Sequence, residues 1–578
     1  MKEKIFKTAL KKKKINLTSY YFILFLKKKK KPEINFILYL LIKLTQKGNI
    51  CLPIKKIIKK NKLYNNYKKL KKKKKIKKML LNSDICSKGE KIKPLIIFKN
   101  NIYLYRMWSY EKNISNFFLK NEKKISLKYK QKEILINYLI KNHFNKKQKK
   151  TIIKTLTYNK TIIIGGPGTG KTTIVGKIII ILIKIQKKKQ KIILSAPTAK
   201  ATLVLKKKFN KIIKNSNLKK RETNKIKYKA RTLHYILGIK KNSQKPLFNK
   251  KRKINANILI IDETSMIDFF IMNYLIHAIS KKTKIILLGD PNQIEPINSS
   301  SFFNNICKYM YKENTKEKTS TLITNKNYNI NKINYSKTKI CKLTTNFRFN
   351  KTSEINKLSQ IILEKKKSNK KIKKFIKKKN KNIKFIKIKK ISDYKKIIKQ
   401  IIKYYHNIKN EQEFKKYRIL CTIKKGPFGT KKINKYIEYY IIKKKPYKKI
   451  NNFIIYDGKP IMITKNNPIL NLFNGEIGII KIINNNIIVF FKNKKIPLYN
   501  INNYETTWCT TIHKSQGSEF ENIYIILPNL FKKKITKKLI YTAITRAKKK
   551  ITICGNKKIF IKICKNKLKR YCGLINYF

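Results

Sequence analysis

The chain has 578 residues, too many for one hydrophobic core, and its length predicts about three or four domains. Hydrophobic residues make up 42% of it, which excludes global disorder even though 145 Lys and Arg face 26 Asp and Glu, a formal charge of +119. Lys far outnumbers Arg, and the companion residues Ile, Asn, Tyr and Phe share A- and T-rich codons. Drift in base composition is therefore read as the main source of the excess, and charge alone is a weak guide to partners.

Residues 1–130 alternate apolar segments with lysine runs at 11–14, 27–31 and 71–75, which read as solvated faces. Helical periodicity is expected at 35–44 and 130–140, and the region reads as a mainly helical accessory domain that docks on a partner. The apolar run 20–26 lacks a small-residue cleavage site, so no signal peptide is expected. Runs 36–42 and 178–183 fall short of the roughly 20 residues needed to span a bilayer, which predicts a soluble, cytoplasmic protein with no membrane partner. Nine scattered Cys without a C-x-x-C, and five His apart from them, point to neither a zinc site nor a disulfide framework.

Over 131–350 the texture changes. Strands are expected at 161–164, 191–194, 258–261 and 284–288, alternating with helical segments, which argues for a parallel α/β sheet. A second α/β region over 351–578 carries strands at 523–527 and 551–554. It is interrupted at about 450–505 by short strands around Asp457-Gly458 and Asn474-Gly475, a small β-rich insertion. The Lys-rich stretch 365–390 is low in complexity and is left unassigned.

Chemistry enters where strand 161–164 runs into Gly165, Gly166, Pro167, Gly168, Thr169, Gly170, Lys171, Thr172 and Thr173. Phosphate needs many donors at close range, and glycines let the backbone wrap so that N–H groups point inward. Lys171 would meet the β- and γ-phosphates of ATP, Thr172 would give its hydroxyl to Mg²⁺, and the helix starting there adds its positive end. Asp262 and Glu263 close the apolar run 258–261. Asp262 would hold Mg²⁺ and Glu263 would polarise the attacking water, although such a pair also serves as a helix N-cap. Gly289-Asp290-Pro291-Asn292-Gln293 ends the next strand; the Gln293 amide could sense the γ-phosphate, or the segment could be a plain turn.

These segments resemble superfamily 1 helicases, and within them the RecD group. The likeness rests on the P-loop, Ser195–Ala201, Asp262–Asp268, Gly289–Gln293, Leu343–Phe349, Thr510–Phe520 and Tyr541–Ala547, which occur in the family's order. Ala230–His234, Gly426–Gly429 and Leu472–Gly478 are similar to RecD more narrowly. The resemblance covers about 140–555 and leaves the first 130 residues outside. It implies two RecA-like P-loop NTPase domains, a small SH3-like insertion and a mainly helical N-terminal domain. It further implies that Gln148 contacts adenine, that Arg348 and Arg546 reach the γ-phosphate from the second sheet, and that His513 and Gln516 couple the ATP cleft to DNA. Thr198, Lys200, His234 and Thr511 are the implied contacts to single-stranded DNA. The implied activity is a 5′-to-3′ DNA helicase, stimulated by single-stranded DNA and working on double-stranded ends in recombinational repair. Its implied partners are the beta and gamma subunits of exodeoxyribonuclease V, the beta subunit carrying the nuclease. Pro296 stands where the family usually has a small residue, and Asn346-Phe347 where Ser-Tyr is common. Two alternatives stay open: a standalone RecD-like helicase, and a non-catalytic subunit whose motor has decayed.

Overall fold

The computed structural model describes residues 16–27, 31–64, 70, 72–119, 125–186, 189–216, 218–240, 243, 245–296, 300–314, 339–348, 353–364, 368–378, 380–388, 391–405, 411–414, 416–450, 453–492 and 494–577. The lysine run 11–14 and Phe349 lie outside them.

The N-terminal region is helical, as expected, with helices Leu17–Lys27, Pro32–Thr45, Ile54–Tyr64, Lys73–Leu81 and Tyr105–Leu119. Pro32 and Glu33 open the second of these, where a fixed φ and a negative charge suit the first turn. A four-stranded sheet accompanies the helices: β1 (Leu52–Pro53), β2 (Cys86–Ser87), β3 (Leu95–Phe98) and β4 (Asn101–Leu104), in the order β1-β4-β3-β2. Strands of two and four residues are too short for alternation to show in a sequence.

The first parallel sheet holds β5 (Lys160–Gly165), β6 (Gln190–Ala196), β7 (Ile226–Thr232), β8 (Ile258–Ile261), β9 (Lys284–Gly289) and β10 (Ile340–Leu343). Their order is β10-β5-β9-β8-β6-β7, with every pair parallel. The four expected strands are β5, β6, β8 and β9. The two edge strands, β7 and β10, escaped the sequence reading. In β7 the half-exposed residues alternate with exposed, mostly charged ones, the blunted profile of an edge. The helix Lys171–Ile185 is apolar nearly all round because it is buried among Leu135, Leu139, Ile152 and Leu205. Gly176 permits this: a Cβ there would lie 2.6 Å from Ile212 of the neighbouring helix Ala199–Lys214. Run 178–183 is thus a core helix, and no helix among the described residues is long and apolar enough to cross a membrane.

The second sheet starts with β11 (Ile383–Ile386) and β12 (Tyr417–Cys421), so part of the Lys-rich stretch is strand. A hairpin, β13 (Lys448–Ile450) with β14 (Phe453–Ile455), leads to β15 (Pro460–Ile463), β16 (Ile477–Ile483), β17 (Asn486–Phe491), β18 (Lys494–Pro497) and β19 (Tyr504–Thr506). These last five form a separate antiparallel sheet, β18-β17-β16-β15-β19, where the β-rich insertion was expected. Asn484 and Asn485, both at positive φ, make the tight turn between β16 and β17. The chain then returns to β20 (Cys509–Thr511), β21 (Phe520–Ile526) and β22 (Ala547–Cys554), giving the all-parallel order β11-β22-β21-β12-β20.

Candidate functional site

Parallel strands bring the loops at their C-terminal ends to one edge of a sheet. The P-loop leaves β5, Asp262 and Glu263 leave β8, Asp290–Gln293 leave β9, and Asn346–Arg348 come just after β10. From the second sheet come Gly517 and Glu519, between β20 and β21, and Arg546, just before β22. Together they enclose a cavity of about 450 Å³, lined among others by Lys171, Thr172, Glu263, Gln293, Arg348 and Arg546. Pro167, Gly168, Thr169, Gly170, Thr173, Asp262 and Asp290 also face it.

The P-loop folds as its glycines require. Gly168 and Gly170 take φ values of 80° and 77°, where a side chain would be strained. A Cβ on Gly168 would also lie 2.5 Å from Cβ of Arg348. The Lys171 ammonium donates to the carbonyls of Gly165 at 2.7 Å and Gly166 at 3.0 Å, and engaging a phosphate would exchange these contacts. Asn346 explains its own departure from the family pattern. Its amide donates to the Pro167 carbonyl at 3.2 Å and its Oδ1 accepts from the Arg348 N–H at 2.9 Å. The Phe347 N–H donates to Gly168 O at 2.8 Å, so this segment is stitched directly to the P-loop.

Glu263 adopts a left-handed backbone, φ 50°, and the Asp262 carboxylate accepts its N–H at 2.8 Å. The Glu263 carboxyl is pushed up by loss of water and by Asp262, while Arg546 and Lys171 draw it back. Asp290 is buried; it accepts from the Asn292 N–H at 2.9 Å and from the Tyr541 hydroxyl at 3.0 Å. Burial raises its carboxyl, with Lys171 the chief opposing charge. Gln293 is buried, and its Oε1 has no partner among the described residues although it lies at the cavity wall. Such an acceptor suits a water or a protonated phosphate oxygen.

Arg546 is buried and held by the carbonyls of Thr542 at 3.2 Å and Ser518 at 3.3 Å. Arg348 corrects the expectation that both arginines come from the second sheet. It comes after β10 of the first, and its guanidinium reaches across to pair with Glu519 and the Thr545 carbonyl.

The remaining site residues fall outside the cavity. Gln148 completes a capping box with Asn145, the N-cap of the helix Lys146–Thr157: its N–H donates to Asn145 Oδ1 and its Oε1 accepts from the Asn145 N–H. Thr198 caps the helix Ala199–Lys214, with Lys200 in its first turn. His234 is exposed on the short helix Leu233–Ile236 after β7. Thr511, His513 and Gln516 lie at and beyond the end of β20; burial lowers the His513 imidazole, and Gln516 Nε2 has no partner among the described residues. Gly517 joins these residues to the cavity and packs against Ala201. Sequence reasoning gave no role to Asp290, Glu519 or Tyr541, although each stands inside a quoted motif.

A family model described as an AAA domain matches residues 148–299, and one for a UvrD-like helicase C-terminal domain matches 506–554. A viral superfamily 1 RNA helicase core domain matches 240–390. The N-terminal domain of RecBCD enzyme subunit RecD matches 11–103. The RecBCD enzyme subunit RecD of Buchnera aphidicola subsp. Schizaphis graminum is 42% identical over 506 residues, covering 82% of this chain and 84% of the relative. The chain belongs to the RecD family. The RecD protein of Buchnera aphidicola subsp. Acyrthosiphon pisum is 40% identical over 497 residues, 81% of this chain and 82% of that one. A solved structure of Pif1 helicases on forked double-stranded DNA aligns at 17% identity and TM-score 0.40, over 71% of this chain and 92% of that one. The RecD match at 11–103 overturns the expectation that the first 130 residues lie outside the resemblance. That region carries a core pattern and no catalytic motif, so a reading built on chemistry passed over it.

Proposed function

We propose that this RecD-family chain is an ATP-driven 5′-to-3′ DNA helicase, working with beta- and gamma-type partner subunits on double-stranded DNA ends. The observation that carries this is the cavity itself. A P-loop, three carboxylates and a glutamine whose Oε1 has no partner among the described residues, all from one parallel sheet, meet a buried arginine from another. Lys171, Arg348 and Arg546 would neutralise the charge that develops on the transferring phosphoryl, and Glu263 would orient the attacking water. The Thr172 hydroxyl and the Asp262 carboxylate fit Mg²⁺, which takes few protein oxygens and keeps water and phosphate as its other ligands. Held there, the ion would supply positive charge against the transferring phosphoryl. Because the cavity is walled by both sheets, hydrolysis that opens it would move one sheet against the other.

Thr198, Lys200, His234 and Thr511 are proposed to touch the single strand, with His513 and Gln516 relaying the state of the cleft through Gly517. Gln148 is proposed to contact adenine through its amide nitrogen, its carbonyl serving in the capping box. The domains are placed at 1–130, 131–350 and 351–578, with the antiparallel sheet as an SH3-like insertion. Exonuclease activity is assigned to the whole complex and not to this chain. The RecD match in the N-terminal region favours the subunit over a standalone helicase, and the complete set of charged groups in the cavity speaks against a decayed motor. Unwinding of duplexes with a 5′ or a 3′ single-stranded tail tests the proposal. Opening of the 5′-tailed substrate alone supports it, and opening of the 3′-tailed substrate alone refutes the assigned direction.

A further inference from the structure

The segment after Gln293 is held by a charge cluster to which no motif assigns a role. The Glu295 carboxylate accepts from Lys538 Nζ and from the Asn304 amide, each at 2.9 Å, and lies 4.0 Å from Arg570. Both cations grip the same loop by its backbone. Lys538 donates to the Pro291 carbonyl at 2.9 Å, and Arg570 donates to the Pro296 carbonyl at 2.6 Å. Glu295 thus sits between two clamps set on either side of Gln293. Burial alone would raise its carboxyl, but Lys538, Asn304 and Arg570 together hold it below the usual range.

The clamps lead to different parts of the molecule. Lys538 is on the helix Lys537–Ile544, which ends two residues before Arg546. The same helix receives the Ile294 N–H on Thr542 at 3.2 Å, and the Ile294 side chain enters the core of the second sheet. Arg570 begins a C-terminal strap bound to the N-terminal region. Tyr571 donates its N–H to Asn49 Oδ1 at 2.8 Å and accepts from the Ile50 N–H at 2.9 Å, and the Gly573 N–H donates to Glu111 at 2.9 Å.

We infer that Glu295 is a positioning residue for ATP hydrolysis: it sets Gln293 of the first sheet in register with the helix that carries Arg546, and it ties that register to the N-terminal region through Arg570. The inference rests on the nucleotide reading of the cavity. Among the described residues the polar partners of Glu295 lie outside the cavity lining, so its loss acts on turnover through Gln293 and not on the P-loop that binds ATP.

The test is steady-state ATP hydrolysis by the full chain with saturating single-stranded DNA, with Lys171→Ala as control. Glu295→Gln is expected to lower kcat about tenfold, the size of one lost hydrogen-bonded charge contact, with the KM for ATP within about twofold of wild type. Combined with Gln293→Ala it should add no further loss, and Glu295→Asp should recover part of the rate. Arg570→Gln leaves the Lys538–Glu295 pair in place and should show the same pattern at smaller size; it decides the matter if Glu295→Gln does not fold. Unchanged kcat in the folded variants, or a loss that multiplies with that of Gln293→Ala, overturns the inference. A wild-type chain whose hydrolysis does not depend on Lys171 overturns the nucleotide reading, and the inference with it.

Discussion

Tyr541→Phe removes a single hydroxyl from the seam between the two sheets. That hydroxyl donates at 3.0 Å to the carboxylate of Asp290, which is 1% exposed and has the Asn292 N–H as its other donor. A hydrogen bond to a charged group contributes about 1.5–3 kcal/mol, roughly ten- to 150-fold in an equilibrium or rate. Asp290 follows β9 of the first sheet and Tyr541 lies on the helix Lys537–Ile544 packed against the second, so the lost energy is expected to come from closure of the sheets over the nucleotide. We expect kcat/KM for ATP in the presence of single-stranded DNA to fall at least tenfold, with the melting temperature nearly unchanged. The sign with pH is set by Asp290. Burial already raises its carboxyl, while Lys171, the Asn292 N–H and the Tyr541 hydroxyl hold it down. Without the hydroxyl the carboxyl protonates at higher pH, so the deficit should deepen as the pH falls. Hydrolysis by Tyr541→Phe within twofold of wild type at both pH 6 and pH 8 would refute the reasoning.

Two other carboxyls give further expectations. Glu263 is raised by burial and by Asp262, and its proposed role of orienting water needs it ionised; kcat/KM should therefore drop as the pH falls through a value above the ordinary glutamate range of about 4.3, read from a pH–rate profile. Glu111, fully buried beneath the C-terminal strap, is pushed up to about 7 by burial, against hydrogen bonds from Cys572, Tyr103 and the strap backbone. Its contribution to folding is fully present below its ordinary value and is lost as the pH rises through about 7, a swing of roughly 3 kcal/mol. Wild type should lose thermal stability between about pH 4.5 and pH 7.5, and Glu111→Gln should flatten that dependence.

The core strands of the first sheet were legible because each is a buried apolar run ending in chemistry: Gly165 after 161–164, Asp262 after 258–261, Gly289 after 284–288. The edges were not, since β7 carries Lys and Arg on its exposed side and the apolar run of β10 is broken by the exposed Lys342. The placing of Arg348 on the second sheet came from the family resemblance, and the chain itself sets it just after β10 of the first. Asp290 and Tyr541 were hidden for another reason. A turn aspartate and a helical tyrosine have bland local roles, and only the packing of two sheets 251 residues apart in sequence brings their oxygens together. Asn346 and Glu295 lie at or beside departures from the family pattern, and each takes a contact that only the folded chain reveals.

The most direct test of the central claim is ATP hydrolysis by the purified chain, with and without single-stranded DNA, at near-physiological salt and with Lys171→Ala alongside. Salt matters because a chain of formal charge +119 will gather any polyanion when ions are scarce. An ATP-driven DNA motor predicts hydrolysis that single-stranded DNA stimulates strongly and that Lys171→Ala abolishes. Hydrolysis that persists at the wild-type rate in Lys171→Ala would contradict the assignment of the site.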